Sequence, residues 1–269
     1  MNDESTLKDL YEMSSKHAHY QILPPELNDV INAHNITIQS RFEAERLKYI
    51  LDNIDIKDKY ILDIGGNTGY FTFEMLSHGA KHVDYFEGNS NHAKFVRLAA
   101  KSLHYESKLS VFDEYHSFIF PVPRNYDVVL LLNVLHHVGD DYGNQNLSLE
   151  NAKRQILLSL ENVAWNTKYL IFQLGFNWKG DRNQCLFENG TKKELLDFIC
   201  SGTKNCWDIL KIGIPGRVSN KVIYSDLDEV NAMRLDELGE FLNRPLFIMK
   251  SLLYAEKGKK VGVTPNDDV

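Results

Sequence analysis

Asp63 closes a short apolar run, Ile61-Leu62, and is followed by Ile64-Gly65-Gly66-Asn67-Thr68-Gly69 and the aromatic pair Tyr70-Phe71. An acid and three glycines between a strand-like run and a helix-like pattern make a ligand loop at the carboxyl end of a buried parallel strand. Glycines there accept positive φ and let a ligand approach the backbone. Position 67 is Asn, so the G-x-G-x-x-G spacing of dinucleotide sites fails at its second glycine, and the Gly-Lys-Ser/Thr of a triphosphate cradle is absent. D-x-G-x-x-x-G remains: an acid without a phosphate-binding lysine. A tight turn that holds no ligand is the plain alternative. A second cluster, Asn133-Val134-Leu135-His136-His137-Val138, follows the apolar run Tyr126 to Leu132. Imidazole titrates near neutral pH, which makes His136 and His137 candidate bases, at most one of them facing an acceptor. Asp140, Asp141 and Tyr142 follow closely enough to orient an imidazole. A His/Asp pair also suits a metal, but no further spacing supports one, so none is expected.

These residues need a sheet to bring them together. Tyr60 to Ile64 reads as the first strand and Gly69 to His78 as its helix. Strands follow at His82 to Glu87, Lys108 to Phe112, Tyr126 to Leu132, Lys168 to Leu174, Trp207 to Ile214 and Leu246 to Ala255, with helices between them. Capping-box patterns at Ser40–Glu43 and Thr191–Glu194 open helices, and Ser225-x-x-Asp228 is read as starting one that runs to about Asn243. Such alternation predicts an α/β, doubly wound, seven-stranded and mainly parallel sheet. Residues 1–52 read as a helical N-terminal extension, 53–256 as the main domain with cap insertions near 179–203 and 216–244, and 257–269 as a flexible tail.

The D-x-G-x-x-x-G loop, an acid eighteen residues after Gly69, and V-L-H-H-V after the fourth strand together resemble the class I S-adenosylmethionine-dependent methyltransferases. The resemblance covers roughly residues 53 to 255 and implies a Rossmann-like methyltransferase fold whose last strand is antiparallel. It implies S-adenosylmethionine as cofactor, held by Asp63, Gly65, Gly66, Asn67 and Gly69 of the loop. Glu87 would take the ribose hydroxyls, since one carboxylate offers two acceptor oxygens. Gly88 lies beside it, Asp113 ends the third strand near the adenine, and Asn133 lies against the methionine part. Arg41 or Arg46 would suit the ligand carboxylate.

Composition narrows the partner. The chain has 269 residues, a net charge of −7 and three cysteines without a C-x-x-C pair. The cysteine spacing excludes the C-x3-C-x2-C iron–sulfur pattern of radical enzymes, and reduced thiols point to a cytoplasmic chain. No apolar run approaches a membrane span. The acidic balance leans against nucleic acid. The expectation is therefore methyl transfer to an oxygen of a small polar or sugar- or phosphate-bearing molecule, as in surface-polysaccharide synthesis, with no nucleic-acid or membrane partner and no indication of oligomeric state. A tRNA- or RNA-modifying enzyme is the alternative, because some wobble-uridine enzymes share the V-L-x-H region; a non-catalytic cofactor-binding protein is another. His17, His19, Tyr20 and Gln21 form a polar stretch able to close over the site.

Overall fold

The computed structural model describes residues 3–13, 21–31, 40–118 and 124–255. Eight strands form one sheet in the order β3-β2-β1-β4-β5-β8-β6-β7. Five of them are parallel: β1 (Tyr60–Ile64), β2 (His82–Phe86), β3 (Leu109–Phe112), β4 (Tyr126–Leu132) and β5 (Thr167–Gln173). β8 (Leu246–Ser251) runs antiparallel to β5 and to β6 (Trp207–Val218), which turns back into β7 (Lys221–Asp226). This is a doubly wound α/β architecture of the Rossmann-like methyltransferase type, with one strand more than expected.

The parallel strands are apolar on both faces because helices cover both. One apolar layer unites the helices α1 (Asp3–Glu12), α2 (Pro25–Ile31), α3 (Glu43–Asn53), α4 (Tyr70–Ser77) and α5 (Ser90–Ser102) with residues such as Ile61, Val83 and Val128. The other joins α6 (Leu149–Ala164) and α7 (Lys192–Thr203) to Leu62, Val129 and Phe172. Alternate residues of each strand point to opposite layers, as the period of two requires. The N-terminal helix α1 packs on α5, and α3 packs on α4 and β7.

Two sequence-level patterns take a different form. The Thr191 box forms in full: its hydroxyl accepts from Glu194 N–H (3.2 Å) while Glu194 accepts from Thr191 N–H (2.9 Å). The Ser40 pattern does not. Helix α3 begins at Glu43 after Phe42 in left-handed conformation, and the Glu43 carboxylate folds back onto Arg41 N–H (2.9 Å) and Ser40 Oγ (3.0 Å). The helix expected over 225–243 is absent. Val222 and Tyr224 alternate buried with exposed neighbours, so Lys221–Asp226 pairs with β6 as β7, and residues 227–243 hold turns and the short 3-10 turns Asp236–Leu238 and Phe241–Asn243. Asp228, expected in a helix start, closes a turn by accepting from Val230 N–H (2.8 Å) and Asn231 N–H (2.7 Å). His17, His19, Tyr20 and the tail 257–269 lie outside the described residues.

Candidate functional site

The carboxyl ends of β1, β2, β4 and β5 open on a cavity of about 800 Å³. The glycine loop forms its floor. Gly65 N–H donates to Phe86 O (2.8 Å), which ties the loop to the end of β2. Gly65 has φ 69°, and a Cβ on Gly66 would lie 2.5 Å from the Tyr85 ring and 2.8 Å from Asp63 Oδ2. Neither position admits a side chain, so the backbone itself faces the cavity. Gly69 (φ 81°) is the N-cap residue of α4 and does not line the cavity.

Glu87 fastens the loop. Its Oε2 accepts from Asn67 N–H (2.9 Å) and its Oε1 from Asn89 N–H (2.8 Å). One carboxylate offers two acceptor oxygens, the number that a ligand diol calls for. Asp63 is 4% exposed and accepts from Thr72 Oγ (2.6 Å). Burial pushes its carboxyl up to about 7, Thr72 opposes that, and the negative Glu87 adds to it. Gly88 also lines the cavity, with Tyr115 lying across it. The N-terminal Gln21 reaches the loop, its Oε1 accepting from Tyr70 N–H (3.2 Å).

Asp113 is placed elsewhere. Its carboxylate lies 3.7 Å from Arg97 of α5, and it is not among the lining residues. Glu114, Tyr115 and His116 line the cavity instead. His116 stands edge-on to Phe86, which stacks on Phe112 at 4.3 Å, and burial lowers its pKa to about 4, so the ring is neutral. This is a flat, aromatic end suited to a purine.

After β4, Asn133 takes φ 63° and bridges Gln173 (Nδ2 to Oε1, 2.9 Å) and Arg244 (Nη1 to Oδ1, 2.8 Å). A single 3-10 turn, Leu135–His137, then brings both imidazoles to the cavity wall, ring centroids 4.2 Å apart. His136 is buried and its Nδ1 accepts from Gly175 N–H (3.3 Å). His137 Nδ1 lies 3.2 Å from Asp141 Oδ2, within ion-pair distance for a protonated ring but without hydrogen-bond geometry. Among the described residues, His137, Asp140 and Asp141 also bring one donor atom each within 4.8 Å of one another. Asp140 Oδ2 lies 4.0 Å from the same His137 nitrogen.

Arg41 and Arg46, the two arginines expected to suit a ligand carboxylate, both line the cavity, and Arg244, which carried no local signal, joins them. Arg41, Arg46 and Arg244 all stand over the ring of Phe241, at 5.3, 5.2 and 5.1 Å. Arg46 is 3% exposed. Its nearest acid, Glu43, is 3.8 Å away, and its Nε has no hydrogen-bond partner. Burial lowers the Arg46 pKa and raises that of Glu43 against the opposing pull of Arg46. A buried guanidinium with an unmet donor calls for an anion from outside. Arg244 is paired with Glu240 (2.5 Å). Arg244, Glu240 and Phe241 precede β8, and only the insertion of that strand beside β5 brings them here.

No family model matches the chain. A 143-residue stretch is 31% identical to tRNA U34 carboxymethyltransferase of Helicobacter pylori, covering 51% of each chain. The protein of the same name from Helicobacter acinonychis is 36% identical over 109 residues, 38% of this chain and 40% of that one. The match thus spans about half the length of these curated relatives or less. Among solved structures, the N-methyltransferase NodS of Bradyrhizobium japonicum, in complex with S-adenosyl-L-homocysteine, aligns over 94% of this chain and 100% of its own with TM-score 0.49 and 12% identity. The relatives' names overturn the expectation of a small-molecule partner and no nucleic acid. Net charge is a property of the whole surface and does not decide the partner of one cavity. The surface-polysaccharide expectation finds no support among them. No described helix is long and apolar enough to cross a membrane.

Proposed function

We propose that this chain transfers an alkyl group, methyl or carboxymethyl, from an S-adenosyl donor to an RNA, with a tRNA uridine as the acceptor. The observation that carries the donor is the floor built by Asp63, Gly66 and Glu87: backbone bared by glycine, with one carboxylate at each end. The residues present fit such a group. Glu87 would hold the ribose diol, Phe86 and His116 the adenine side, Asp63 the ammonium of the methionine part, and Arg46 a carboxylate. When bound, the donor supplies an electrophilic carbon on a sulfonium. The names of the curated relatives and the V-L-H-H stretch support the RNA acceptor.

The chain's own task is then to align the acceptor, exclude water and remove a proton. His137, whose imidazolium form would be stabilised by the Asp141 carboxylate 3.2 Å away, is the base in this reading, accepting the acceptor's proton at Nε2; His136, engaged with Gly175 N–H, shapes the wall. His137→Gln is expected to lower the turnover rate about 10²- to 10⁴-fold without weakening binding of S-adenosylhomocysteine. Turnover that stays at the wild-type value would remove His137 from this role.

The reading is tested by incubating the protein with tRNA lacking the modification and either S-adenosylmethionine or its carboxylated form, then weighing the nucleosides. A uridine heavier by a methyl or a carboxymethyl group is expected. If S-adenosylhomocysteine raises the melting temperature but neither donor marks the RNA, the acceptor assignment falls. If no S-adenosyl compound stabilises the fold, the donor assignment falls too.

A further inference from the structure

A second cavity, of about 1200 Å³, adjoins the first; Arg41, Asn177, Arg182, Glu240 and Phe241 line both. We propose that it seats the acceptor nucleotide, with Arg182 as the contact to its phosphate. This rests on the reading of the chain as an RNA-modifying transferase.

The walls suit a nucleotide turned out of its strand. Phe42 contributes a partly exposed ring, Arg234 over Phe176 and Arg41 over Phe241 present guanidinium planes on which a base can stack, and the Asn177 and Asn189 amides provide donors and acceptors for a base edge. Because the wall is shared, a base seated there adjoins the donor cavity and the imidazole of His137, as transfer over about 3 Å requires.

Arg182 is singled out by what its neighbours already do. Arg234 is held by Asp236 (2.8 Å) and by Gly190 O (2.5 Å), and its guanidinium lies over Phe176. Arg244 is held by Glu240, and Arg46 faces Glu43. Those pairings also neutralise Asp236 and Glu240, leaving Glu188 as the other acid of the second cavity. The exposed Arg182 has no ion pair or hydrogen bond among the described residues.

Yet the backbone that carries it is fixed. Asp181 accepts from Asn183 N–H (2.9 Å) and Gln184 Nε2 (2.9 Å), Trp178 N–H donates to Gln184 O (2.6 Å), and Leu186 N–H donates to Phe176 O (2.7 Å). Trp178 Nε1 donates to Val138 O (2.7 Å), which ties the loop to the turn bearing the two histidines. A cation on an ordered loop, uncommitted, at the junction of two cavities matches a phosphodiester, whose two free oxygens fit a guanidinium fork.

The experiment measures binding of unmodified tRNA to the wild type, Arg182→Gln and Arg182→Lys over a salt titration, with S-adenosylhomocysteine present. Arg182→Gln is expected to weaken RNA binding roughly tenfold and to flatten the logarithmic salt slope by about 0.7 to 0.9. Arg182→Lys should restore the slope but not the full affinity, because a lysine keeps the charge and loses the fork. The urea midpoint of each ligand-free variant should stay at the wild-type value and so certify the fold. If wild type modifies RNA while Arg182→Gln keeps its affinity and slope, the assignment of this groove is overturned and the transferase reading stands. If wild type neither binds nor modifies RNA, both fall.

Discussion

Above neutral pH, Asp63→Asn is expected to make the ligand-free protein more stable than wild type and, in the same buffer, to weaken its grip on an S-adenosyl donor. The carboxyl of Asp63 is 4% exposed, and the hydroxyl of Thr72 is its hydrogen-bond donor. Burial raises its pKa from the ordinary 3.8 to about 7. Between those two values the native chain keeps a proton that the unfolded chain has released. Stability is therefore full below about pH 4 and declines as pH climbs to about 7. Above that the buried charge costs about 4 kcal/mol relative to the protonated form. An asparagine presents the same oxygen to Thr72 and carries no charge, so the variant should lack this decline. Urea unfolding of both proteins at pH 4.5 and pH 8 checks it: the difference between them should be small at the lower pH and large at the higher. Parallel curves at both would show that Asp63 does not titrate as its burial demands. The donor arm has the opposite sign. A cationic ammonium binds the ionised carboxylate, so wild-type affinity should rise through pH 7 while the variant's stays flat. A charge that is costly when the site is empty and favourable when it is filled is what ligand specificity requires of this position.

How much of this was legible before folding follows from where each signal lies along the chain. The glycine loop, Asp63 and the capping box at Thr191 are local: spacing within a few residues decides them. Glu87 and Asn133 needed one further rule, that a doubly wound sheet gathers strand ends on one edge. Asp113 shows the limit of that rule. Successive residues leave a strand on alternating sides, so an acid one position from the expected place meets Arg97 of α5 rather than the cavity, and Tyr115 and His116 reach it instead. The segment 225–243 failed for a different reason: S-x-x-D marks a turn as readily as a helix start, and here it ends the short strand begun at Lys221-Val222-Ile223-Tyr224. Arg244 and Phe241 carried no signal at all. They reach the site because β8 inserts between β5 and β6, a long-range pairing that no local spacing encodes. Arg46 was legible as a partner for a ligand carboxylate, but not its burial, to which the rings of Phe71 and Phe241 contribute at 5.0 and 5.2 Å from the guanidinium.

That burial makes Arg46 the residue whose replacement should separate binding from folding most sharply. Arg46→Met removes the guanidinium that faces the cavity and leaves Glu43 with no exposed surface and no cation. Stranding one partner of a buried pair costs about 3–5 kcal/mol, so the single variant should unfold at markedly lower urea concentration. Glu43→Gln in the same chain should recover most of that loss, since its amide oxygen can still accept from Arg41 N–H and Ser40 Oγ. The double variant is thus a folded protein without the cation. Charge-assisted hydrogen bonds are each worth about 1.5–3 kcal/mol, so it should bind S-adenosylhomocysteine roughly a hundredfold more weakly than wild type does. The decisive quantity is a ratio. Wild type should prefer S-adenosylhomocysteine over an analogue lacking the amino-acid carboxylate, and the double variant should bind the two alike, a comparison that any general loosening of the cavity leaves untouched. A preserved preference would mean that Arg46 neutralises Glu43 and nothing else, and the ligand's anion would have to be sought at Arg244 or Arg41.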